Sequence, residues 1–328
     1  MNNYQENPIK VIASRHSAFY TPLLLTVDLG SSDANFMKTL SEGFSCDYSV
    51  AENNQNVYEM IMNNEVDIAQ SSVGGSWNNE YSSEIIHFAE INKTDGFYIV
   101  RRDSIPDKEF EWTDLIGSKV LVDHSKQPNY MFKYACYKKN IEYSKIDVID
   151  GGSPEEMVNE FRNGNADYVH LQAPQSTDLT YNVYDEDEES NTYGEITRPK
   201  VGDVVASIGK AVGPLSFSSL ICKKSYTDTP EFHKFIEIFH TTKLFAQTES
   251  SLKIAEITNE FFPDTELEYL DKTIKNYQDL NCWNGDLTIS EDHYDKSLEI
   301  FKFNGLEGIF PYSEVVLKSN LDSNQNDL

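Results

Sequence analysis

Short apolar runs alternate with longer segments of helical spacing through the first two thirds of this 328-residue chain. Runs such as 9–14 and 119–123 have the length of buried strands, and segments with apolar residues at helical spacing lie between them. In one such segment, Ser153 precedes Pro154 and Glu156, which is the pattern of a capping box at a helix start. Strands that alternate with helices of about ten to fifteen residues predict parallel β-α-β units, so we expect an α/β fold.

The last third of the chain has a different pattern. One further strand is predicted at 217–226, and nearly everything after it has helical spacing, over 229–247, 250–262, 265–280 and 291–303. An amphipathic helix must bury its apolar stripe against another element. We therefore expect these C-terminal helices to pack around a sheet that the earlier segments have built.

The charge balance is strongly acidic, with 54 aspartate and glutamate residues against 27 lysine and arginine residues and a net charge of -27. Such a field repels polyanions, so we expect no nucleic-acid partner and no binding to an anionic membrane surface. Consecutive acids occupy 185–189. We expect them in a solvated loop, because burying so many charges is very costly. A calcium site is the alternative, but the run lacks the spacing and the glycine of an EF-hand loop.

Several sequence features favour a cytoplasmic location and no membrane insertion. The first residues, MNNYQENPIKVIAS, show no basic segment followed by an apolar one, as a secretory signal would. The apolar run TPLLLTV is too short to span a membrane. The four cysteines, at positions 46, 136, 222 and 282, are far apart, which predicts neither a disulfide framework nor a zinc site.

We find no established catalytic motif in the sequence. A phosphate-binding loop, a dinucleotide-binding fingerprint and a zinc-protease helix are all missing. The stretch GGSWN lacks the second glycine of a nucleophile elbow, because Asn78 stands in that place. His233 and His240 are two helical turns apart, too distant for one metal without a third ligand, so we expect packing or surface roles for them. We predict no catalytic residue, no metal site and no cofactor.

Several phrases, taken in their order, resemble one known fold. The phrases are MNNEVDIAQSSVGG, WTDLIGSKVLVD and EFRNGNADYVHLQAP, and the likeness extends over residues 8–245. Together they resemble the type II periplasmic solute-binding fold. Within it, the chain is similar to the branch of sulfonate- and nitrate-binding proteins and thiamine-pyrimidine precursor synthases. In length and in its acidic, asparagine-rich composition it resembles the fungal members that lack export signals.

The resemblance implies two lobes joined by two crossing strands. Lobe I would consist of residues 1–100 and 214–328, and lobe II of residues 101–213. A ligand would sit in the cleft between the lobes, where loops leave the carboxyl ends of strands. Closure around the ligand would be a hinge motion.

Candidate binding residues lie in the loops that follow the predicted strands. In DIAQSSVGGSW (67–77), small residues would let a ligand approach the backbone, and Trp77 would offer a flat face to a ring. His16 and His124 would open helices on opposite lobes and pinch a polar ligand between them. The alternative for each residue is an ordinary packing role. The predicted ligand-binding residues are Ser14, His16, Tyr20, Gly75, Trp77, His124, Gln127, Tyr130 and Gln172.

Three functional hypotheses follow from these features. The first is a cytosolic binding protein that captures a small aromatic or heterocyclic metabolite, similar to a thiamine-pyrimidine precursor or a sulfonate. The second is an enzyme related to the thiamine-pyrimidine precursor synthases, which the resemblance would supply with pyridoxal phosphate. The chain departs from that pattern, since it has no cysteine cluster and no lysine in a matching motif. The third is a regulatory or interaction protein that uses the acidic run as its partner surface. We expect binding rather than catalysis.

Overall fold

The computed structural model describes residues 8–29, 40–52, 56–104, 108–123, 126–185, 190–263 and 265–318. The strands are β1 (Ile9–Ala13), β2 (Cys46–Val50), β3 (Ile68–Ser71), β4 (Ile85–Asn92), β5 (Phe97–Arg102), β6 (Lys119–Val122), β7 (Asp147–Asp150), β8 (Tyr168–Gln172), β9 (Val183–Tyr184), β10 (Ile196–Arg198), β11 (Gly202–Ser207) and β12 (Ser218–Lys223). The helices are α1 (Thr21–Leu29), α2 (Val57–Met62), α3 (Lys126–Lys138), α4 (Pro154–Arg162), α5 (Gln175–Thr180), α6 (Ile208–Val212), α7 (Pro230–Thr248), α8 (Ser251–Thr258), α9 (Leu267–Asp279), α10 (Glu291–Phe303) and α11 (Tyr312–Val315).

Two five-stranded sheets organise the described residues. The first sheet has the strand order β2-β1-β3-β12-β4, and the second has the order β11-β5-β8-β6-β7. In the first sheet, β1 is parallel to β2 and β3, whereas β12 is antiparallel to β3 and β4. In the second sheet, β6 is parallel to β7 and β8, whereas β5 is antiparallel to β8 and β11. The α/β prediction is confirmed, with parallel pairing in only part of each sheet.

The chain crosses between the two sheets twice. It leaves the first sheet over residues 92–97 and returns to it over 207–218. The two crossing segments are joined, because the Leu215 N–H donates to the Lys93 carbonyl at 3.0 Å. The lobe boundary that the sequence places at residues 100 and 101 lies inside β5. The assignment of the chain to lobes stays a prediction.

Helix α1 is buried over its whole length in the largest apolar core. It packs against α7, whose Phe235 and Phe239 side chains belong to the same core. The polar groups inside this contact are paired: Thr26 Oγ1 donates to the Pro22 carbonyl at 2.8 Å and lies 2.6 Å from Thr242 Oγ1. A buried hydroxyl left without a partner would be costly, so this pairing lets the helix pack deep in the core.

The capping box predicted for α4 is present. Ser153 Oγ accepts the Glu156 N–H at 3.2 Å, and the Glu156 carboxylate accepts the Ser153 N–H at 2.7 Å. Pro154 occupies the first turn of the helix. Gly164 follows the helix with a φ of +88°, a conformation that glycine adopts without steric cost.

The C-terminal helices contact elements of both sheets. On one side, Tyr277 of α9 donates its hydroxyl to the Ala173 carbonyl at 2.9 Å, next to the end of β8. On the other side, Lys296 of α10 donates to the Tyr134 hydroxyl of α3 at 2.7 Å. The Tyr277 ring also lies 5.0 Å from that of Phe19, which follows β1, and His293 of α10 lies 3.4 Å from the Glu90 carboxylate of β4, so both helices contact elements on the side of each sheet. Among the described residues, no helix combines the length and apolar character that a membrane crossing requires.

The acidic run lies mostly outside the described residues, which exclude 186–189. Asp185 is described, and its carboxylate accepts the hydroxyls of Ser190 and Thr192, each at 2.6 Å. The same segment forms the small antiparallel pair of β9 and β10.

Candidate functional site

A cavity of about 780 Å³ lies between the strand ends of the two sheets. Residues that follow β1 and β2 form one wall, and residues at the ends of β6 and β8 and at the start of α4 form the other. Its lining consists of Ser14, Arg15, His16, Ser17, Val50, Ala51, Phe97, Asp123, Gly152, Ser153, Pro154, Glu155, Glu156, Leu171, Gln172 and Gln175.

A second cavity of about 250 Å³ adjoins the first. The two share Ser14, Arg15, Phe97 and Gln172, so they are parts of one cleft. The second part is lined in addition by Tyr20, Gln70, Ser71, Ser72, Gln127, Pro128, Phe217 and Ser218. Parallel strands bring such loops together because their carboxyl ends meet at one edge of a sheet.

The loop after β1 is fixed by hydrogen bonds to its neighbours in the first sheet. Ser14 Oγ donates to Gln70 Oε1 at 2.5 Å, and the Ser14 N–H donates to the same oxygen at 3.2 Å. Further along, Ser17 Oγ accepts the Phe19 N–H at 3.1 Å and so begins the short 3-10 turn that carries Tyr20. This loop therefore presents its side chains to the cleft from a fixed backbone.

His16 is held by the segment that follows α8. Its Nε2 lies 2.6 Å from the Phe261 carbonyl oxygen, and its ring centroid lies 4.6 Å from that of Phe262. Because a carbonyl oxygen can only accept, Nε2 carries the hydrogen in this contact. The imidazole is exposed and lines the cleft.

Two polar contacts join the walls across the cleft. Arg15 of the first wall donates to the Asp123 carboxylate at the end of β6, with 3.2 Å between Nη1 and Oδ2. The Asp123 side chain is only 2% exposed, whereas that of Arg15 is 36% exposed. Gln127 at the start of α3 donates to the Phe217 carbonyl just before β12, at 2.9 Å. The walls are thus in contact in this structure.

Phe97, which lines both parts of the cleft, belongs to a stack of rings that continues into the core. His170 of β8 lies between Phe97 and Phe132, with ring centroids 4.8 and 5.1 Å away. Neither ring nitrogen of His170 has a hydrogen-bond partner in the described part of the chain, and burial lowers the pKa of this histidine to about 3. The imidazole is therefore neutral at physiological pH and acts as a flat packing group.

Gln172 follows two residues later on the same face of β8 and lines both parts of the cleft. It is 7% exposed, and its side chain interacts with the Tyr277 hydroxyl of α9. Gln172 therefore connects the wall of the cleft to the C-terminal helices.

The cleft includes five of the predicted ligand-binding residues: Ser14, His16, Tyr20, Gln127 and Gln172. All five lie in or beside loops that follow predicted strands. Their roles as ligand contacts stay a prediction.

Trp77 lies elsewhere, and the interpretation of its indole as a platform in the cleft is corrected by its contacts. The side chain is 6% exposed, and its Nε1 donates to the Tyr294 hydroxyl of α10 at 2.9 Å. The ring packs against Phe301 with centroids 4.9 Å apart and against Phe310 with centroids 5.9 Å apart. These rings cover the indole, so it stabilises the packing of the C-terminal helices.

Gly75 and Tyr130 are also predicted to bind the ligand, but they are not part of the cleft lining that the described residues form. Gly75 lies against the Tyr58 hydroxyl and Ser71 Oγ, where any side chain would clash. Tyr130 packs its ring against Phe301 with centroids 5.2 Å apart. His124 lies outside the described residues.

Several residues of the cleft are not among those predicted from the sequence. Arg15 follows the predicted strand 9–14, Asp123 ends the predicted strand 119–123, and each directly precedes a predicted histidine. Phe97 ends a candidate loop at the start of a predicted strand and is not among the predicted binding residues. The segment 153–156 was recognised as a capping box, and a capping box by itself gives no sign that it faces a cavity.

The sequence is similar to that of one curated bacterial protein. The chain is 24% identical over 321 residues to "Putative binding protein YtlA" of Bacillus subtilis (strain 168), which covers 94% of this chain and 87% of that protein. No protein-family model matches the sequence.

Solved structures share the fold over nearly the whole chain. The ligand-binding component of an ABC-type import system from Staphylococcus aureus, solved with zinc bound, has a TM-score of 0.68 at 12% identity, covering 95% of this chain and 97% of that one. The periplasmic aliphatic sulphonate-binding protein SsuA from Escherichia coli has a TM-score of 0.66 at 9% identity, covering 92% of each chain. The chain therefore has the two-lobe α/β fold of type II periplasmic binding proteins, and helices form its C-terminal part.

Proposed function

We propose that this protein captures a small organic molecule in the cleft between the two sheets. The observation that carries the proposal is the cavity of about 780 Å³ at the strand ends. Pockets that enclose small ligands have volumes of about 300–1,000 Å³. In open α/β sheets the carboxyl ends of the strands are also where ligands bind.

The lining favours an aromatic or heterocyclic ligand with polar substituents. Rings of His16, Phe97, Tyr20 and Phe217 border the two parts of the cleft. The Ser14 hydroxyl and the Gln172 side chain add polar groups among them. Flat apolar faces combined with a few convergent polar groups are typical of sites for small ring compounds. A thiamine-pyrimidine precursor or an aromatic sulfonate has this shape.

Binding rather than catalysis is the proposed activity. The name of YtlA and those of the structural neighbours describe binding proteins, one of them for aliphatic sulphonates. No cluster of histidine, cysteine and acidic side chains that could hold a metal is found in the described ranges. We place the protein in the cytosol as part of the same proposal, because all four cysteines are free thiols and three of them are buried.

The test has two steps. The first identifies a molecule that the protein retains, and the second weakens its binding by substituting a residue of the cleft. Native mass spectrometry of protein purified from its source is expected to show a bound metabolite. Adding that metabolite back is expected to raise the melting temperature, as any ligand that binds only the native state does. Substituting Gln172→Ala should reduce the shift, since it removes a polar side chain that lines both parts of the cleft.

A surface substitution on α4 serves as the control. Asn159 is exposed and lies outside the lining, so Asn159→Ala should leave the ligand-induced shift unchanged. If the purified protein carries no molecule and no compound of a broad metabolite panel changes its melting temperature, the proposed capture function is wrong.

A further inference from the structure

We infer that α9 and α10 fasten the two sheets together, so that the cleft keeps one width with and without a ligand. This fastening goes beyond the proposed capture function and does not depend on it, because the contacts that produce it lie entirely within the chain. A protein built in this way binds without the hinge closure that the resemblance to periplasmic binding proteins implies.

Helix α9 reaches the second sheet through buried hydrogen bonds. The Tyr277 hydroxyl donates to the Ala173 carbonyl, next to the end of β8, at 2.9 Å. One turn earlier, Thr273 Oγ1 lies 3.0 Å from Thr177 Oγ1 of α5. Tyr277 and Thr273 are fully buried. Separating the sheets at this point would break both hydrogen bonds and expose the buried face of α9.

The same helix is anchored beside the first sheet. The Tyr277 ring lies 5.0 Å from the ring of Phe19, which follows β1. The Gln278 amide donates to the carbonyls of Ala246 and Glu249 at the end of α7, each at 2.9 Å. Because α7 packs against α1, a movement of α9 together with the second sheet would break these contacts.

Helix α10 makes a second link between the sheets. The Trp77 indole donates to the Tyr294 hydroxyl at 2.9 Å, which ties α10 to the loop after β3 of the first sheet. Lys296 Nζ donates to the Tyr134 hydroxyl of α3 at 2.7 Å, and the Phe303 ring lies 5.5 Å from the Tyr134 ring. Helix α3 follows β6 of the second sheet, so α10 holds both sheets as well.

A line of buried aromatic rings runs from one sheet to the other. The Phe19 ring lies 5.4 Å from that of Phe217, just before β12, and the Phe217 ring lies 6.5 Å from that of Phe97, at the start of β5. Phe97 in turn stacks on His170 of β8, with ring centroids 4.8 Å apart. All four residues are buried. Because protein interiors are close-packed, a rotation of one sheet against the other would break contacts along this line.

The cleft has the dimensions of a binding site in this arrangement. The Arg15–Asp123 ion pair joins its walls, and a cavity of about 780 Å³ remains between the strand ends. Ser14 and His16 of the lining are exposed, so the cavity reaches solvent. A small molecule can therefore enter and be enclosed while the sheets stay together.

A disulfide between α5 and α9 provides a reference in which the sheets cannot separate at this contact. Thr177→Cys combined with Thr273→Cys replaces the two hydroxyls that lie 3.0 Å apart. The matched control is Thr26→Cys combined with Thr242→Cys, which joins α1 to α7 through hydroxyls that lie 2.6 Å apart. All four threonines are buried. Mass spectrometry of the oxidised proteins checks that each disulfide forms.

Small-angle X-ray scattering then compares each oxidised variant with the wild type. All proteins are refolded from guanidinium, which removes any retained small molecule. The oxidised Thr177→Cys/Thr273→Cys variant and the refolded wild type are expected to have the same radius of gyration. The oxidised control variant should agree with the wild type too, which shows that a disulfide by itself does not change the scattering.

Two results would overturn the fastening. The first is a larger radius of gyration for the refolded wild type than for the oxidised Thr177→Cys/Thr273→Cys variant, since the sheets of the wild type would then separate. The second is a failure of this disulfide to form while the control disulfide forms, because the two threonines would then not lie together in solution. Both results concern protein without a ligand and leave the capture function untouched.

Binding gives a second measurement once native mass spectrometry has identified a retained molecule. Oxidation of the Thr177→Cys/Thr273→Cys variant should leave the Kd for that molecule unchanged, because entry requires no separation of the sheets. Binding that weakens about tenfold or more on oxidation, while that of the oxidised control variant does not, would also overturn the fastening.

Discussion

Two loops leave neighbouring parallel strands of the first sheet and meet different surroundings. The loop after β1 carries Arg15 and His16 and opens to the cleft. The loop after β3 borders the cleft at its first residue, Ser72, but rings of α10 and of the segment after it cover its end at Gly75, Ser76 and Trp77. Both loops join small polar residues to aromatic ones. Their composition alone therefore does not decide which of them can meet a ligand.

A distant part of the chain makes the difference. In the loop after β3, whose residues 73–77 we call the covered loop, Gly74 lies so close to the Phe301 ring of α10 that a side chain would clash with it. Below the loop, Ser76 Oγ lies 2.7 Å from Nε2 of the fully buried His87, whose Nδ1 lies 2.7 Å from Ser219 Oγ. The covered loop is thus tied to the core by packing and by a buried polar network.

The largest effect on stability is expected from removing the indole of Trp77. Trp77→Ala should lower the free energy of unfolding by about 3–5 kcal/mol, because it leaves a cavity among tightly packed rings. Urea denaturation monitored by circular dichroism measures this loss. Tyr193→Ala is the control, since Tyr193 is 58% exposed and its loss should cost little.

A milder substitution asks whether Trp77 touches a ligand at all. Trp77→Phe keeps most of the packing, so the ligand-induced rise in melting temperature should be preserved once the lower baseline is subtracted. A selective loss of that rise in Trp77→Phe would show that the indole acts in binding, and the contrast between the loops would be broken.

An intermediate effect is expected from pH, through His87 beneath the covered loop. Burial lowers the pKa of His87 to about 3, whereas a histidine in the unfolded chain titrates near its ordinary value of 6.5. Between these values the unfolded state binds more protons, so stability falls as the pH decreases from about 6.5 towards 3. Protonation of His87 in the unfolded state should by itself lower the free energy of unfolding by about 2 kcal/mol between roughly pH 7 and pH 5.

The measurement compares wild type with His87→Gln in urea at both pH values. The variant removes the titrating group, so its stability should decrease by about 2 kcal/mol less than that of the wild type over this interval. Equal pH dependence of wild type and His87→Gln would contradict a neutral, buried His87.

The parts of the fold that could be predicted are those whose cause is local in the sequence. The strand segment 119–123 and the capping box at 153–156 were found because burial on both faces and helix capping each leave a local pattern. Strands β2 and β11 were missed. Both are edge strands with largely exposed side chains, so no continuous apolar run marks them.

The site was predictable only in part, for a related reason. Strand ends could be recognised, and they gave His16 and Gln172. Whether a loop stays open depends on segments far along the chain, and the rings that cover Trp77 lie more than 200 residues later. Arg15 and Asp123 become a pair only when the two sheets face each other, which no spacing in the sequence reveals.

The smallest effect on stability, and the sharpest contrast with Trp77, is expected at His16 in the open loop. His16→Ala removes an exposed imidazole with one hydrogen bond, to the Phe261 carbonyl, and one ring contact, to Phe262. The free energy of unfolding should fall by only about 1 kcal/mol. The melting-temperature shift produced by the retained metabolite should nevertheless decrease strongly, because the lost ring borders the cleft. His16→Ala and Trp77→Phe should therefore show opposite patterns in the same two measurements. If His16→Ala keeps the full ligand-induced shift in melting temperature, the opening of a loop to a cavity does not predict that its residues bind the ligand.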